Sequence, residues 1–188
     1  MTNIQSNNVS FGSRIVPTEP LRKMFYDSTS CGYYDNYAKR RVINAVESLL
    51  KDGKDDIIEI SGKRFGKEVI ARVNGRKRVS SDIKGESFPA LGYSVADSLC
   101  ELAKKRNENV DLQQKLTFED DVIQNLKRKL VSYITKEEYS FKEASDYAQK
   151  IDQNANDTIR DGLDDKLNKI AKQVFGEDCY RKPFVDFN

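Results

Sequence analysis

The densest run of like charge in the chain lies at residues 63–78, KRFGKEVIARVNGRKR. There Lys63, Arg64, Lys67, Arg72, Arg76, Lys77 and Arg78 meet a single acid, Glu68. Asn74-Gly75 near its end is the strongest short hairpin signal in the sequence. A two-residue turn at that point sets Val73 opposite Arg76, Arg72 opposite Lys77 and Ile70 opposite Val79. Like charges directly opposite one another destabilise a ribbon, and an anionic partner such as a phosphate backbone relieves the repulsion. The competing expectation is that Lys and Arg only protect an exposed sheet edge from aggregation. A second cluster sets Tyr33, Tyr34 and Tyr37 beside Lys39, Arg40 and Arg41. Aromatic faces next to cations stack bases and hold phosphates in single-strand binders. Tyr33, Tyr34 and Arg40 therefore join the nucleic-acid candidates, against the simpler expectation that the tyrosines seat a helix on the core.

Other chemistry is narrowed by what is missing. The sequence has no histidine, so Ser-His-Asp and Cys-His catalysis and His-containing zinc sites are excluded within this chain. An enzyme built on it would use carboxylates, Lys, Tyr, Arg, a cofactor or a partner's groups. Cys31, in a Ser/Gly loop, would need a helix N-terminus or a nearby cation to become a thiolate. Cys100 reads as core, and nothing marks Cys179 as functional. The segment Gly62 to Glu68 superficially resembles a phosphate loop. It has three residues between its glycines instead of four, Glu after the Lys, and a strand after it, so the motif is rejected. Carboxylates cluster at Glu119–Asp121 and at Asp157, Asp161, Asp164 and Asp165. Helix dipole compensation and pairs at i,i+4, Arg160 with Asp164 and Asp165 with Lys169, account for them. No cofactor and no metal site is expected. The tail holds Tyr180, Phe184 and Phe187, which fold back on the body or dock another protein.

These groups need elements to carry them. Val9, Phe11 and Ile15 alternate before Pro17, which suggests a short strand. Thr18 and Pro20 suit a helix start, with Leu21, Met24 and Phe25 as its buried face. Asp35 caps a helix to about Lys51, in which Ala38, Val42, Ala45, Val46 and Leu49 form one stripe. Residues 56–80 read as a three-stranded antiparallel meander. Ser94 with Asp97 reads as a capping box opening the next helix, and Thr117 caps another. The pattern from Phe141 to Val174 spans about 50 Å if unbroken, with a kink or turn at Asp152–Asp157 or Gly162 as the alternative.

The expected fold class is α+β: a small three-stranded meander packed by several helices, with a helix-rich C-terminal half. The expected organisation is a loose segment at 1–10, a core domain at 11–139, and a long helix or helical hairpin with an aromatic tail at 140–188. Leu, Ile, Val and Phe supply 47 of 188 residues, above the level at which chains fail to fold. Three widely spaced cysteines and a polar N-terminus fit a reducing cytoplasm, or delivery into a host cytosol through a secretion system. No apolar run reaches membrane-spanning length, so no membrane partner is expected. Three function classes remain, in this order. The first is a non-enzymatic adaptor binding another protein, or itself, through the C-terminal helix and tail. The second is a nucleic-acid binder using the basic hairpin, and the third a histidine-free enzyme using carboxylates or Cys31.

Overall fold

The computed structural model describes residues 12–30, 33–51, 55–63, 67–83, 90–112, 125–126, 128–133 and 141–176. The chain is α+β. Strands β1 (Arg14–Ile15), β2 (Ile57–Lys63), β3 (Glu68–Val73) and β4 (Arg76–Asp82) form one sheet in that order. Helices α1 (Glu19–Thr29), α2 (Asn36–Lys51), α3 (Ala90–Arg106) and α4 (Phe141–Phe175) pack against it and one another, and helical turns also occur within 125–133.

The sheet has four strands, one more than the meander expected from the sequence. β1 pairs parallel to β2, Arg14 opposite Ile57 and Ile15 opposite Ile58, while the other pairs are antiparallel. Val9 and Phe11, the outer members of the proposed first strand, lie outside the described residues. Pro17 lacks the N–H needed to continue the ladder. The next residue, Thr18, then caps α1, its hydroxyl oxygen accepting from the Leu21 amide at 3.4 Å. Asp35 caps α2 in the same way, accepting from the Ala38 amide at 2.7 Å.

The β3–β4 turn has positive φ at both central residues, 51° at Asn74 and 75° at Gly75. That is the twist-matched two-residue hairpin turn. Val73 faces Arg76 and Arg72 faces Lys77, as the turn dictates, but Ala71 and not Ile70 faces Val79. One extra residue, Arg78, is inserted between the Lys77 and Val79 pairs. The reason is in the side chains. A regular ladder would place Arg78 beneath Ala71 and turn Val79 to solvent. The bulge restores Val79, 2% exposed, to the face that already buries Val69, Ala71 and Val73.

Three layers follow. The inner sheet face carries Ile58, Ile60, Val69, Ala71 and Val79 against α1 and α3. Behind these lie α2 and the C-terminal half of α4. The helix α3 begins at Ala90, four residues before the expected cap, because Ala90 and Leu91 are buried and extend its core stripe. Ser94 is inside the helix and donates to the Ala90 carbonyl at 2.9 Å. It caps nothing.

One helix, α4, runs through Asp152–Asp157 and Gly162 without a break. Ile159, Leu163, Leu167, Ile170 and Phe175 bury its C-terminal half on α1 and α2. Phe175 meets Phe25 edge to face at 6.0 Å, and the Arg22 guanidinium covers its ring at 4.3 Å. Nearer its start Lys142, Glu143, Asp146, Gln149 and Lys150 are exposed. There Tyr147 stacks on Tyr133 with ring centroids 3.6 Å apart.

Candidate functional site

The basic hairpin divides into two sets of cations with different surroundings. On the outer sheet face, Lys77 reaches Glu68 at 2.8 Å, and the Ser80 hydroxyl donates to the same carboxylate. Arg72 donates to Ser61 Oγ and lies 3.8 Å from Glu59. These bonds hold the Glu68 carboxyl below its usual range, the Lys77 hydrogen bond being the largest cause. The repulsion expected between Arg72 and Lys77 is therefore relieved inside the sheet. No outside anion is required for that pair.

The second set lines a groove of about 700 Å³ between the hairpin turn and the C-terminal end of α3. Arg76 and Arg78 come from β4, Lys105 and Arg106 from the last turn of α3. Val73, Leu102, Asn74 and Asp56 complete its lining. Asp56 ties three elements together there. It accepts from Arg106 Nη2 at 2.7 Å and from the Asn74 side-chain amide, just before β2 begins. Asn74 also accepts from the Ile57 amide through Oδ1 at 2.8 Å. Arg106 is thus a fixed, largely covered cation. Lys105 is half exposed and pairs with Glu101 at 2.7 Å, a surface contact contributing at most about 1 kcal/mol. Arg76 and Arg78 are exposed and form no ion pair with a described residue.

Part of this charge has a local explanation. Cations in the last turn of α3 complement the negative end of its dipole, and β4 is a sheet edge that Lys and Arg protect. Neither requirement calls for Arg76 and Arg78 to share a concavity with the α3 cations. A regular ladder would already turn both arginines to this face, and the bulge adds Val79 to it. Arg76, Arg78 and Val79 lie toward the same side of β4, so two arginines reach the groove and the valine still reaches the core.

The remaining sequence candidates are scattered. For Lys63 only the backbone is described, and Lys67 is exposed at the far end of the hairpin. Arg64, Cys31, Tyr180, Phe184 and Phe187 lie outside the described residues. Tyr33 is 43% exposed, but Tyr34 is only 4% exposed, with its ring stacked at 4.9 Å on Tyr93. Burial also drives the Tyr34 hydroxyl far above its ordinary pKa. Tyr34 therefore has no free face for a base. Arg40 is half-buried on α2 and is not among the residues lining the groove. Tyr33, Tyr93 and Tyr37 form a separate patch. It is held by the Tyr93 hydroxyl donating to the Tyr33 carbonyl and by Arg41 lying 5.8 Å from the Tyr37 ring centre.

Two sets of polar groups missed in the sequence are buried. Lys23 pairs with Asp27 inside the core, at 1% and 0% side-chain exposure. Desolvation raises the Asp27 pKa against the opposing pull of Lys23. Asp27 Oδ2 and the Tyr34 hydroxyl have no hydrogen-bond partner among the described residues, and both crowd the missing Cβ of Gly92, at 2.5 and 3.3 Å. Lys39, 2% exposed, reaches Asp164 at 2.5 Å and so fastens α4 to α2. Arg160 pairs with Asp157 and Asp161, not with Asp164 as its spacing suggested. Burial pushes the Cys100 thiol up to about 11, consistent with a core residue. Among the described residues no group of three Cys, Asp or Glu is placed to hold a metal ion. No described helix is long and apolar enough to cross a membrane.

No protein-family model, curated protein or solved structure matches the chain.

Proposed function

We propose that the chain binds nucleic acid in the groove between the Asn74–Gly75 turn and the end of α3. The observation that carries this reading is the contrast between the two sets of cations. Arg72 and Lys77 are satisfied by Glu59, Ser61 and Glu68. Arg76 and Arg78 form no ion pair with a described residue and stand beside Lys105 and Arg106 on one concave surface. Converging guanidinium groups recognise phosphate through paired, charge-assisted hydrogen bonds. The test is fluorescence anisotropy of labelled single- and double-stranded DNA and RNA at about 50 and 200 mM salt. Three or four phosphate contacts give an affinity that falls roughly 40- to 150-fold for a duplex, and roughly 20- to 50-fold for a single strand, across that range. Absence of binding at the lower salt overturns the reading and leaves edge protection and dipole compensation as the role of these residues.

A second reading rests on α4. Its first half carries exposed residues from Lys142 to Lys150, and Tyr147 there stacks on Tyr133 of the helical turns. An amphipathic helix exposed in this way suits protein docking or self-association. Light scattering gives the mass. A compact monomer whose 141–150 segment resists proteolysis contradicts this reading.

A further inference from the structure

Resting on the nucleic-acid reading of the groove, we infer that its ligand is a phosphate monoester: the phosphorylated end of a strand, not a phosphodiester within one. The argument is the shape of the charge. A protein that follows a backbone needs cations along a track, and here they converge on one hollow of about 700 Å³. Asp56 is the one carboxylate among the described lining residues, and it is taken up by Arg106. Glu101, one turn back along α3, pairs with Lys105 just outside the hollow.

A strand continuing out of the groove along α3 would carry its next phosphate toward Glu101 and away from the converging cations. A strand end has no such continuation on one side. The terminal group also has the charge that the site lacks. A monoester carries about −1.5 to −2 at pH 7, with a second pKa near 6, whereas each diester carries one charge. Arg76 and Arg78 line the groove and form no ion pair with a described residue. Val73 and Leu102 in the lining are apolar and suit the sugar or base of the terminal nucleoside.

The experiment compares one labelled oligonucleotide with a 5′-phosphate, a 3′-phosphate or hydroxyls at both ends. A nucleoside monophosphate and inorganic phosphate serve as competitors, with the full chain throughout. The inference expects at least about a tenfold preference for one phosphorylated end, from the added charge-assisted bonds. That preference should shrink below about pH 6, where the monoester gains a proton. It should vanish in Arg76→Gln/Arg78→Gln and persist in Lys77→Gln, whose residue lies outside the groove. Circular dichroism checks that both variants are folded.

Equal binding of all three oligonucleotides overturns the inference and leaves nucleic-acid binding standing. If no oligonucleotide binds but the mononucleotide does, with the same dependence on Arg76 and Arg78, the monoester chemistry is upheld. Its source is then a free nucleotide, and the nucleic-acid reading fails. Silence of every phosphate ligand overturns both.

Discussion

Asp27 and Gly92 depend on each other. Glycine in a helix interior costs about 1 kcal/mol relative to alanine, so Gly92→Ala would ordinarily stabilise α3. Here the new methyl would sit 2.5 Å from Asp27 Oδ2. That carboxylate cannot move away, because Lys23 holds its other oxygen within the core. Overpacking of this kind costs about 1–3 kcal/mol. Urea denaturation should therefore show Gly92→Ala destabilised by about 1–2 kcal/mol, and a gain in stability would contradict the packing. The ionisation of Asp27 has its own signature. Its folded pKa is raised, chiefly by burial, so its contribution to stability is fully present below its unfolded pKa. That contribution is lost as pH rises through the folded value. The stability of the wild type relative to Asp27→Asn should shrink between pH 4 and pH 7 in the same assay; a growing difference would give the opposite sign. None of this was legible in the sequence. Lys23 and Asp27 look like an ordinary i,i+4 surface pair, and only the helices packed around α1, α3 at Gly92 among them, bury them. For the same reason Tyr34 reads as a base-stacking candidate until α3 is seen to cover it.

At the scale of elements, the hairpin was legible because Asn-Gly is a local signal. The bulge was not. It is a compromise between turn geometry and the need to bury Val79, and that need exists only once β3 has a core beneath it. The compromise makes a sharp prediction. Deleting Arg78 removes the extra residue but keeps Val79 opposite Ala71, since Lys77 and Val79 then become neighbours in a regular ladder. The deletion should change stability by less than about 1 kcal/mol, within the range of mild surface changes. It should also weaken nucleic-acid binding by about tenfold, one charge-assisted contact's worth. Loss of folding would mean that the bulge has a structural purpose beyond register. Likewise β1 escaped the three-strand expectation because two residues leave almost no periodic trace.

Over the whole molecule, the sequence was read correctly as α+β with a helix-rich C-terminal half, since a stripe repeated over more than thirty residues needs no tertiary context; whether that stripe was one helix or two stayed open until α4 was seen unbroken. What spacing along one helix cannot reveal is a partner on another. Asp164 was assigned to Arg160, yet it holds Lys39 on α2. Removing one member of a buried pair leaves the other charge uncompensated, at a cost of about 3–5 kcal/mol when both are fully buried. Asp164 retains 24% exposure, so Asp164→Ala should cost about 2–3 kcal/mol and increase hydrogen exchange in the second half of α4. Unchanged exchange there would show that the apolar contacts alone seat the helix. The basic groove lies at the other side of this scaffold, assembled from a turn, the start of β2 and the end of α3. Its arginines were named from the sequence, but Lys105 and Arg106 were not, because they are 27 or more residues from Arg78 in the chain.

The most direct measurement pits two charge-matched double variants against each other in the anisotropy assay at about 50 mM salt. Arg76→Glu/Arg78→Glu reverses two groove arginines, while Arg72→Glu/Lys77→Glu makes the same change in net charge on the outer face. A specific groove predicts a loss of at least about a hundredfold for the first pair. The second pair should lose less than about fivefold. Equal losses from both would mean that any binding follows the overall charge of the hairpin, and the groove would not be the site.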